Sequence, residues 1–542
     1  MPGGLVTQRY KMDPCNRCRV GNLELDTTRM NAPGDLVDRY AEPIARAIEE
    51  MAALERGEHV NIDEDRAVGH YWLRDPNIAP AAEADRVRAS WRHITEFAEQ
   101  VRAGKIVGAA GPFRKFLLIG IGGSALAPQL LYAAFRQPGQ TPPLFVLDNT
   151  DPDGFECTLA EIRHAGGLGD TLTMVASKSG GTKETRNGML IARHAYEQEG
   201  LVFEKHAVAM SMANGNGECN ETNELYDLAR GQSRAKAEDG VPWLNWFELW
   251  DWVCGRTSMF APVGLLPAAL LGFDHEALLA GARRMDEATR RSDLRDNPAL
   301  LMAVQWLHAT ETLRLTNMVV LPYRDRLALL GIYLQQLVME SLGKAGKGIT
   351  VFGNKGSTDQ HSFVQQLREG RPDFFALFIR TRTDGDGWPS DFQVEPNVTA
   401  GDYLAAFQEG TARALHDAGR PSMRITMDRL DEASLGALVA LFERAVGFYA
   451  TLIGINAYHQ PGVEAGKRAA GEYIELQTGL VDFLTANQGQ PFTADELARQ
   501  VGRPDEAVVV RDIIERLACT RRFGLTSTAA NHDAAPTFIC EP

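Results

Sequence analysis

The chain has 542 residues, of which 44% are hydrophobic and 23% charged, and its formal net charge is −15. These values are typical of a globular protein of several domains, and they disfavour nucleic acid or an anionic membrane as the main partner. Seven cysteines, an odd and small number, do not suggest a disulfide framework, and the N-terminus has no apolar signal segment. We therefore expect a cytoplasmic protein with reduced thiols.

Residues 1–100 are predicted to form a helical N-terminal segment, because apolar side chains recur there at helical spacing, as at Ile44, Ile48 and Met51. The segment also contains a CNRC motif with Cys15 and Cys18. A zinc site would need two more ligands, and a redox pair would normally lie at a strand–helix junction. Neither context is present in the sequence, so we expect no metal and no redox role for this motif.

From residue 101 onward, short apolar runs alternate with helical segments, which indicates parallel β-sheets with covering helices. We predict an α/β fold with two doubly wound lobes, at residues 101–275 and 276–475. The predicted strands of these lobes are residues 115–119, 144–148, 171–177, 206–212, 316–323 and 373–381.

Residues 476–542 are predicted to form a small helical cap that is similar to a helix-turn-helix. Thr493 and Glu496 have the spacing of a capping box, and Gly502 marks a turn between two short helices. Between residues 495 and 522 there are six acidic residues and six arginines, so no basic face for DNA is evident. A sugar-phosphate sensor with a DNA-binding module remains the alternative to an enzyme.

A glycine loop follows the first predicted strand, with Gly120, Gly122, Gly123 and Ser124 in sequence. The spacing fits the first two glycines of a dinucleotide fingerprint, and Ala125 stands where the third glycine belongs. No Walker A motif is present, since GVEAGKRA, at residues 462–469, is one residue short and lacks the Ser or Thr. The loop therefore indicates a phosphate ligand whose identity this motif alone leaves open.

A second loop, SKSGGTKET at residues 177–185, follows the third predicted strand. It supplies hydroxyls and a cation at the start of a helix, which is a favourable arrangement for a phosphate monoester. If these residues served only to cap the helix, a single hydroxyl would be enough, and the loop has several. The predicted phosphate-binding residues of the two loops are Gly123, Ser124, Ser177, Lys178, Ser179 and Thr182.

These two loops resemble the signature loops of a sugar-isomerase (SIS) domain, and residues 100–475 resemble the phosphoglucose isomerase family. The further matching segments are CGRTSMFAPVGLLPAAL, VLPYRDRLALLGIYLQQLVMESLGK, GNKGSTDQHSFVQQLREG and NAYHQPGVEAGKRAA. The chain departs from the family pattern at Ser179, Gly180 and Gly181, which replace Thr-Phe-Thr, so one phosphate hydroxyl is absent at Gly181. Cys254 also replaces the first glycine of the family's G-G-R motif, and Thr257 stands where an aromatic residue is common.

The resemblance implies two SIS-type lobes and reversible isomerisation of glucose 6-phosphate and fructose 6-phosphate through a cis-enediolate. A related isomerase that also accepts mannose 6-phosphate is the nearest alternative. The reaction needs a base that returns the proton and a cation beside the enediolate.

Glu340 continues the inward face marked by Leu334 and Leu337, and a carboxylate partly withdrawn from water is a stronger base. Arg256 keeps its charge at any pH. The alternative interpretation of Glu340 is a solvated glutamate near a helix end. The alternative interpretation of Arg256 is a structural ion pair.

The resemblance assigns the base to Glu340, the enediolate cation to Arg256, and ring opening to His361 and Lys467. It also places Gln336 and Gln460 along the sugar. In this family the histidine comes from the neighbouring subunit, so a homodimer is implied. No metal, cofactor, nucleic acid or membrane is implied.

Overall fold

Two parallel β-sheets organise the protein, whose computed structural model describes residues 16–214, 222–232, 240–385, 391–528 and 536–541. The first sheet has five strands, and all neighbouring pairs are parallel. Its strands are, in spatial order, Leu144–Leu147, Lys115–Ile119, Thr171–Ala176, Ala207–Ser211 and Asn245–Glu248. The first four confirm the predicted strands to within two residues. The fifth, at the edge, was not predicted.

The second sheet has six strands, four of them parallel. Its strands are, in spatial order, Arg17–Val20, Leu23–Asp26, Ser422–Met427, Phe374–Thr381, Asn317–Pro322 and Thr350–Gly353. The first two form an antiparallel hairpin that extends the sheet at Ser422–Met427.

This hairpin lies in the N-terminal segment that was predicted to be helical. Val20 pairs with Leu23 across the two-residue turn Gly21–Asn22, with Gly21 at φ 56°. Leu23 and Leu25 are fully buried and alternate with more accessible residues, which is the strand period. Among the described residues 27–100, helices Leu36–Arg39, Ala41–Glu55 and Ala81–Arg102 agree with the prediction. The prediction is wrong for the hairpin and for residues 56–80, which contain no α-helix.

Helices cover both sheets, and three of them lie in the described part of the N-terminal segment. Their bounds are Leu36–Arg39, Ala41–Glu55, Ala81–Arg102, Gly123–Phe135, Pro152–His164, Lys183–Gln198, Glu224–Ala229, Pro262–Leu271, His275–Thr289, Pro298–Leu307, Leu330–Leu334, Gln360–Glu369, Ala400–Asp417 and Glu432–Ile453. Two of them continue as π-helical turns, at His308–Thr312 and Gln335–Glu340. The predicted α/β class with two parallel-sheet lobes is confirmed.

Helix Glu432–Ile453 is the one described helix long and apolar enough to cross a membrane. In the fold, 94% of its most apolar stretch is buried, as is typical of a core helix. It packs chiefly against His275–Thr289 and Pro298–Leu307. The length and apolar composition of this helix therefore reflect its position in the core of the protein.

A network of charges, fully buried at its centre, ties this helix to its neighbours. Asp286 accepts hydrogen bonds from Arg74 at 2.7 and 2.9 Å and from Arg444 at 2.9 Å, and none of these side chains is exposed. Arg74 also pairs with Glu443, and Arg444 pairs with Glu55. Burial alone would raise the pKa of Asp286, but the charges of Arg444 and Arg74 outweigh it and hold that pKa well below its usual range.

The chain divides into two compact units, residues 1–459 and 460–542. The second unit contains helices Gly462–Ala486, Ala494–Gln500 and Ala507–Cys519. Its three-stranded antiparallel sheet has the order Phe492–Thr493, Thr537–Cys540, Leu525–Ser527. The predicted boundaries at 100, 275 and 475 stay predictions.

The second unit has an apolar core of its own, with Leu480, Leu497 and Phe538 fully buried. The capping box of Thr493 and Glu496 forms as predicted. The small sheet was not predicted.

Candidate functional site

The glycine loop packs directly against the segment that carries Arg256. Strand Lys115–Ile119 ends at the loop, and a helix begins at Gly123. A Cβ atom at Gly123 would lie 1.9 Å from the carbonyl oxygen of Gly255, so no side chain fits there. Ser258 donates a hydrogen bond to the carbonyl of Gly123 at 3.2 Å. These contacts hold the loop and the Arg256 segment together.

The second loop links strand Thr171–Ala176 to helix Lys183–Gln198 through a compact turn. Ser177 is buried, and its Oγ donates to Oγ1 of Thr182 at 3.1 Å. Ser179 Oγ accepts from the backbone N–H of Gly181 at 3.3 Å. Lys178 Nζ donates to the carbonyl of Val253, the residue directly before Cys254, at 3.4 Å. The predicted phosphate ligands therefore share one turn that reaches toward the Arg256 segment.

Gly180 explains one departure of this loop from the family pattern. Its φ is +70°, and a Cβ there would lie 2.1 Å from Oδ1 of Asn223. Asn223 is buried and donates to the carbonyls of Lys178 and Met212, both at 3.0 Å. Glycine at 180 is thus required by the backbone and by Asn223. Gly181 has no such constraint, since a Cβ there would meet only Ser179 Oγ at 3.9 Å.

Arg256 and Glu340 form an ion pair beside these loops. Their Nη1 and Oε1 atoms are 3.0 Å apart, and their side chains are 2% and 17% exposed. Glu340 ends the π-helical turn Gln335–Glu340, a wider turn that is frequent at functional sites. Gln336 lies on the same turn, with its Nε2 3.0 Å from the position of a Cβ at Gly122. The structure therefore brings the predicted base, the predicted cation and Gln336 to the glycine loop.

His361 lies on another helix of the first unit. His361 is the second residue of helix Gln360–Glu369 and is exposed. The contacts of the described residues do not join its side chain to Glu340 or Arg256. Lys467 and Gln460 belong to the second unit, where both are exposed.

The CNRC motif is only partly within the described residues, since Cys15 lies outside them. Cys18 is buried, and burial is the main cause that raises the pKa of its thiol to about 12. Among the residues that the structure describes, no three His, Cys, Asp or Glu side chains are grouped as metal ligands.

Lys344 is a site residue that the sequence reasoning did not single out. Its Nζ donates to the carbonyl of Asn456 at 2.6 Å. Burial, and next the charge of Arg256, lower the pKa of Lys344 to about 8. A lysine whose pKa is lowered beside an arginine and a glutamate is typical of functional sites.

Two kinds of comparison place this chain among known proteins. The phosphoglucose isomerase family model matches residues 36–382 and 394–480. Glucose-6-phosphate isomerase from Geobacter sp. (strain M21) is 48% identical over 516 residues, which cover 93% of this chain and 93% of that protein. Glucose-6-phosphate isomerase from Synechococcus elongatus is 46% identical, with 94% of each chain covered.

Among solved structures, a glucose-6-phosphate isomerase from Chlamydia trachomatis is similar in fold. The TM-score is 0.72 at 24% sequence identity, and the match covers 87% of this chain and 92% of that one. A likeness at this identity concerns the fold, and it agrees with the two parallel-sheet lobes described above.

Proposed function

The chain belongs to the phosphoglucose isomerase family and interconverts D-glucose 6-phosphate and D-fructose 6-phosphate, and we propose the residues with which it does so. This reaction serves glycolysis and gluconeogenesis. The observation that carries the proposal is the buried pair of Arg256 and Glu340 against the glycine loop. We place the protein in the cytoplasm, with a sugar phosphate as its ligand and no cofactor.

Glu340 is the base that moves the proton between C2 and C1 of the open-chain sugar. A carboxylate can remove the proton from one carbon and return it to the next, provided that water has little access. Its side chain is only 17% exposed, which limits that access. Arg256 remains charged throughout and stabilises the oxyanion of the cis-enediolate.

The two loops bind the phosphate group. Hydroxyls and backbone N–H groups at the start of a helix favour a phosphate dianion, and a lysine adds charge. The binding residues are Gly123, Ser124, Ser177, Lys178, Ser179 and Thr182. Gln336 and Gln460 bind the sugar hydroxyls, while His361 and Lys467 move the proton during ring opening.

Isomerisation in deuterated water tests the reaction type. Fructose 6-phosphate incubated with the purified protein, without added metal or nucleotide, is expected to give glucose 6-phosphate with deuterium at C2. Proton NMR reads out both the product and the label. Because a shielded base can return the same proton, the mixture is followed over many turnovers, during which even slow exchange accumulates label. Complete absence of deuterium from both the product and the recovered fructose 6-phosphate would indicate a hydride shift and would remove the base from the mechanism.

Adding a hydroxyl at Gly181 is expected to tighten phosphate binding. Gly181→Thr has room for its side chain and restores the family's hydroxyl, so we expect KM for fructose 6-phosphate to fall about 2- to 5-fold, the effect of one hydrogen bond. Gly181→Ala is the control, because it adds the Cβ without the hydroxyl. Equal KM values for the two variants would show that position 181 does not reach the phosphate.

We propose a homodimer in which His361 completes the partner's site. Support comes from an exposed apolar group on the elements around His361: Ile332, Met339, Phe352 and Val364 are 38–47% exposed. Phe352 contacts Phe363 with ring centroids 5.4 Å apart, which connects the edge strand to the helix of His361. Apolar surface of this kind favours association.

Mixing two inactive variants tests the shared site. His361→Ala and Glu340→Gln are each expected to be inactive, but a mixed dimer contains one site with both native residues. After subunit exchange of an equal mixture, about one quarter of the wild-type activity is expected, because half of the dimers are mixed and one of their two sites is intact. An equal mixture that stays inactive, although mixed dimers form, would show that His361 acts within its own chain.

A further inference from the structure

Four consecutive main-chain carbonyls, those of residues 456–459, accept hydrogen bonds from side chains around the Arg256–Glu340 pair. We call this segment the carbonyl strap. Its bonds are Lys344 Nζ to Asn456 at 2.6 Å, Arg256 Nη2 to Ala457 at 2.7 Å, Cys254 Sγ to Tyr458 at 3.1 Å and Arg256 Nη2 to His459 at 3.3 Å.

The strap fixes the direction in which Arg256 points. One nitrogen of its guanidinium is held by the strap, and the other lies 3.0 Å from Oε1 of Glu340. Since the guanidinium is planar and rigid, holding one nitrogen sets the direction of the other. The position of the strap therefore controls the distance between Arg256 and Glu340.

Lys344 anchors the first carbonyl of the strap. It follows Glu340 by four residues, just after the helix ends, and its side chain is partly buried. Bringing a second cation close to Arg256 costs free energy through burial and like-charge repulsion, as the lowered pKa of Lys344 indicates. A neutral hydrogen-bond donor could satisfy the carbonyl of Asn456 without the cost of burying a second cation. The positive charge of Lys344 therefore needs an explanation.

We propose that Lys344 is a positioning residue of the isomerisation. Its ammonium group holds the carbonyl strap, and through the strap it holds the Arg256 guanidinium beside Glu340. The inference depends on the proposed roles of Arg256 and Glu340, and it adds a residue that acts through them.

The inference predicts an alkaline limit to catalysis. Lys344 faces the charged or titratable groups Arg256, Cys254, Glu340 and Asp63. As the pH rises through about 8, Lys344 loses its proton, and the charge-assisted bond to Asn456 weakens. We expect kcat to fall over this range while KM changes little.

Four variants of the full chain test the inference: Lys344→Met, Lys344→Arg, Lys347→Met and Glu340→Gln. Lys347 is the matched control, because its exposed side chain donates to another main-chain carbonyl, that of Ile453, at 2.5 Å. Steady-state kinetics with fructose 6-phosphate between pH 6 and 10, with melting temperatures alongside, are the measurements.

Lys344→Met is expected to lower kcat about 10- to 100-fold, since misplacing a catalytic group by about 1 Å has an effect of this size. Lys344→Arg is expected to recover most of kcat and to lose the fall above pH 8, because arginine stays charged. Lys347→Met is expected to match the wild type.

The inference is wrong if Lys344→Met keeps wild-type kcat, or if Lys344→Arg keeps the same fall above pH 8. Should Lys344→Met fail to fold, the pH profile of Lys344→Arg still decides. An active Glu340→Gln would instead overturn the proposed mechanism on which the inference depends, so the two failures are distinguishable.

Discussion

Replacing Glu340 with glutamine is expected to lower kcat about 10³-fold and to stop deuterium entry at C2 of the product. The amide keeps the size and hydrogen-bonding shape of the side chain but cannot accept the proton, and general base catalysis contributes an effect of this order. Substrate binding should persist, because the proposed phosphate ligands lie on the two loops. Proton NMR in deuterated water measures turnover and label together.

Glu311→Gln is the matched control, since Glu311 also lies in a π-helical turn and is 47% exposed. It should leave kcat unchanged. Full turnover by Glu340→Gln, in a protein that melts like the wild type, would remove the base assignment while leaving the established activity in place.

Replacing Asp286 with asparagine is expected to lower the free energy of unfolding by about 3–5 kcal/mol. Asp286 is fully buried between Arg74 and Arg444, and its loss of charge leaves both guanidiniums short of a counter-charge. Removing one partner of a buried ion network is costly because the remaining charges cannot regain water. Urea unfolding followed by tryptophan fluorescence measures the effect.

Asp293→Asn is the control for the same chemical change at the surface. Asp293 pairs with Arg295 at 2.5 Å, but both side chains are well exposed, so little change in stability is expected. If the two variants unfold at the same urea concentration, the buried network contributes no more than a surface pair.

Most of the strands that the sequence predicted correctly are buried on both faces and are mainly apolar. Leu144–Leu147 is a partly exposed edge strand, but its four residues are all apolar, so it gave the same signal. The missed strands lack that signal for specific reasons. Thr350–Gly353 and Asn245–Glu248 are four-residue edge strands in which only the two central residues are apolar. Ser422–Met427 is central, but Arg424 interrupts its apolar run, and its charge is met by Asp26 and Glu409 from other parts of the chain.

The candidate site also has parts that the sequence predicts and parts that it does not. Each of the two proposed phosphate loops is contiguous in sequence, so local chemistry alone predicts it, and its binding role stays a prediction. The pairing of Arg256 with Glu340 joins residues 84 positions apart, and only the family resemblance suggested it beforehand. Lys344 could not be found, because its partner is a main-chain carbonyl, which has no sequence signature.

The contact between Gly123 and Gly255 has a consequence for how the sequence of this protein can change during evolution. Because no side chain fits at Gly123, selection for a stable scaffold would retain that glycine even in a lineage that no longer turned over sugar phosphates. Packing does not restrict the residue at position 340 to the same degree, since the side chain of Glu340 is not fully buried. In a divergent descendant, the glycine motif would therefore report inheritance of the architecture, and the residue at 340 would report whether the chemistry was inherited with it.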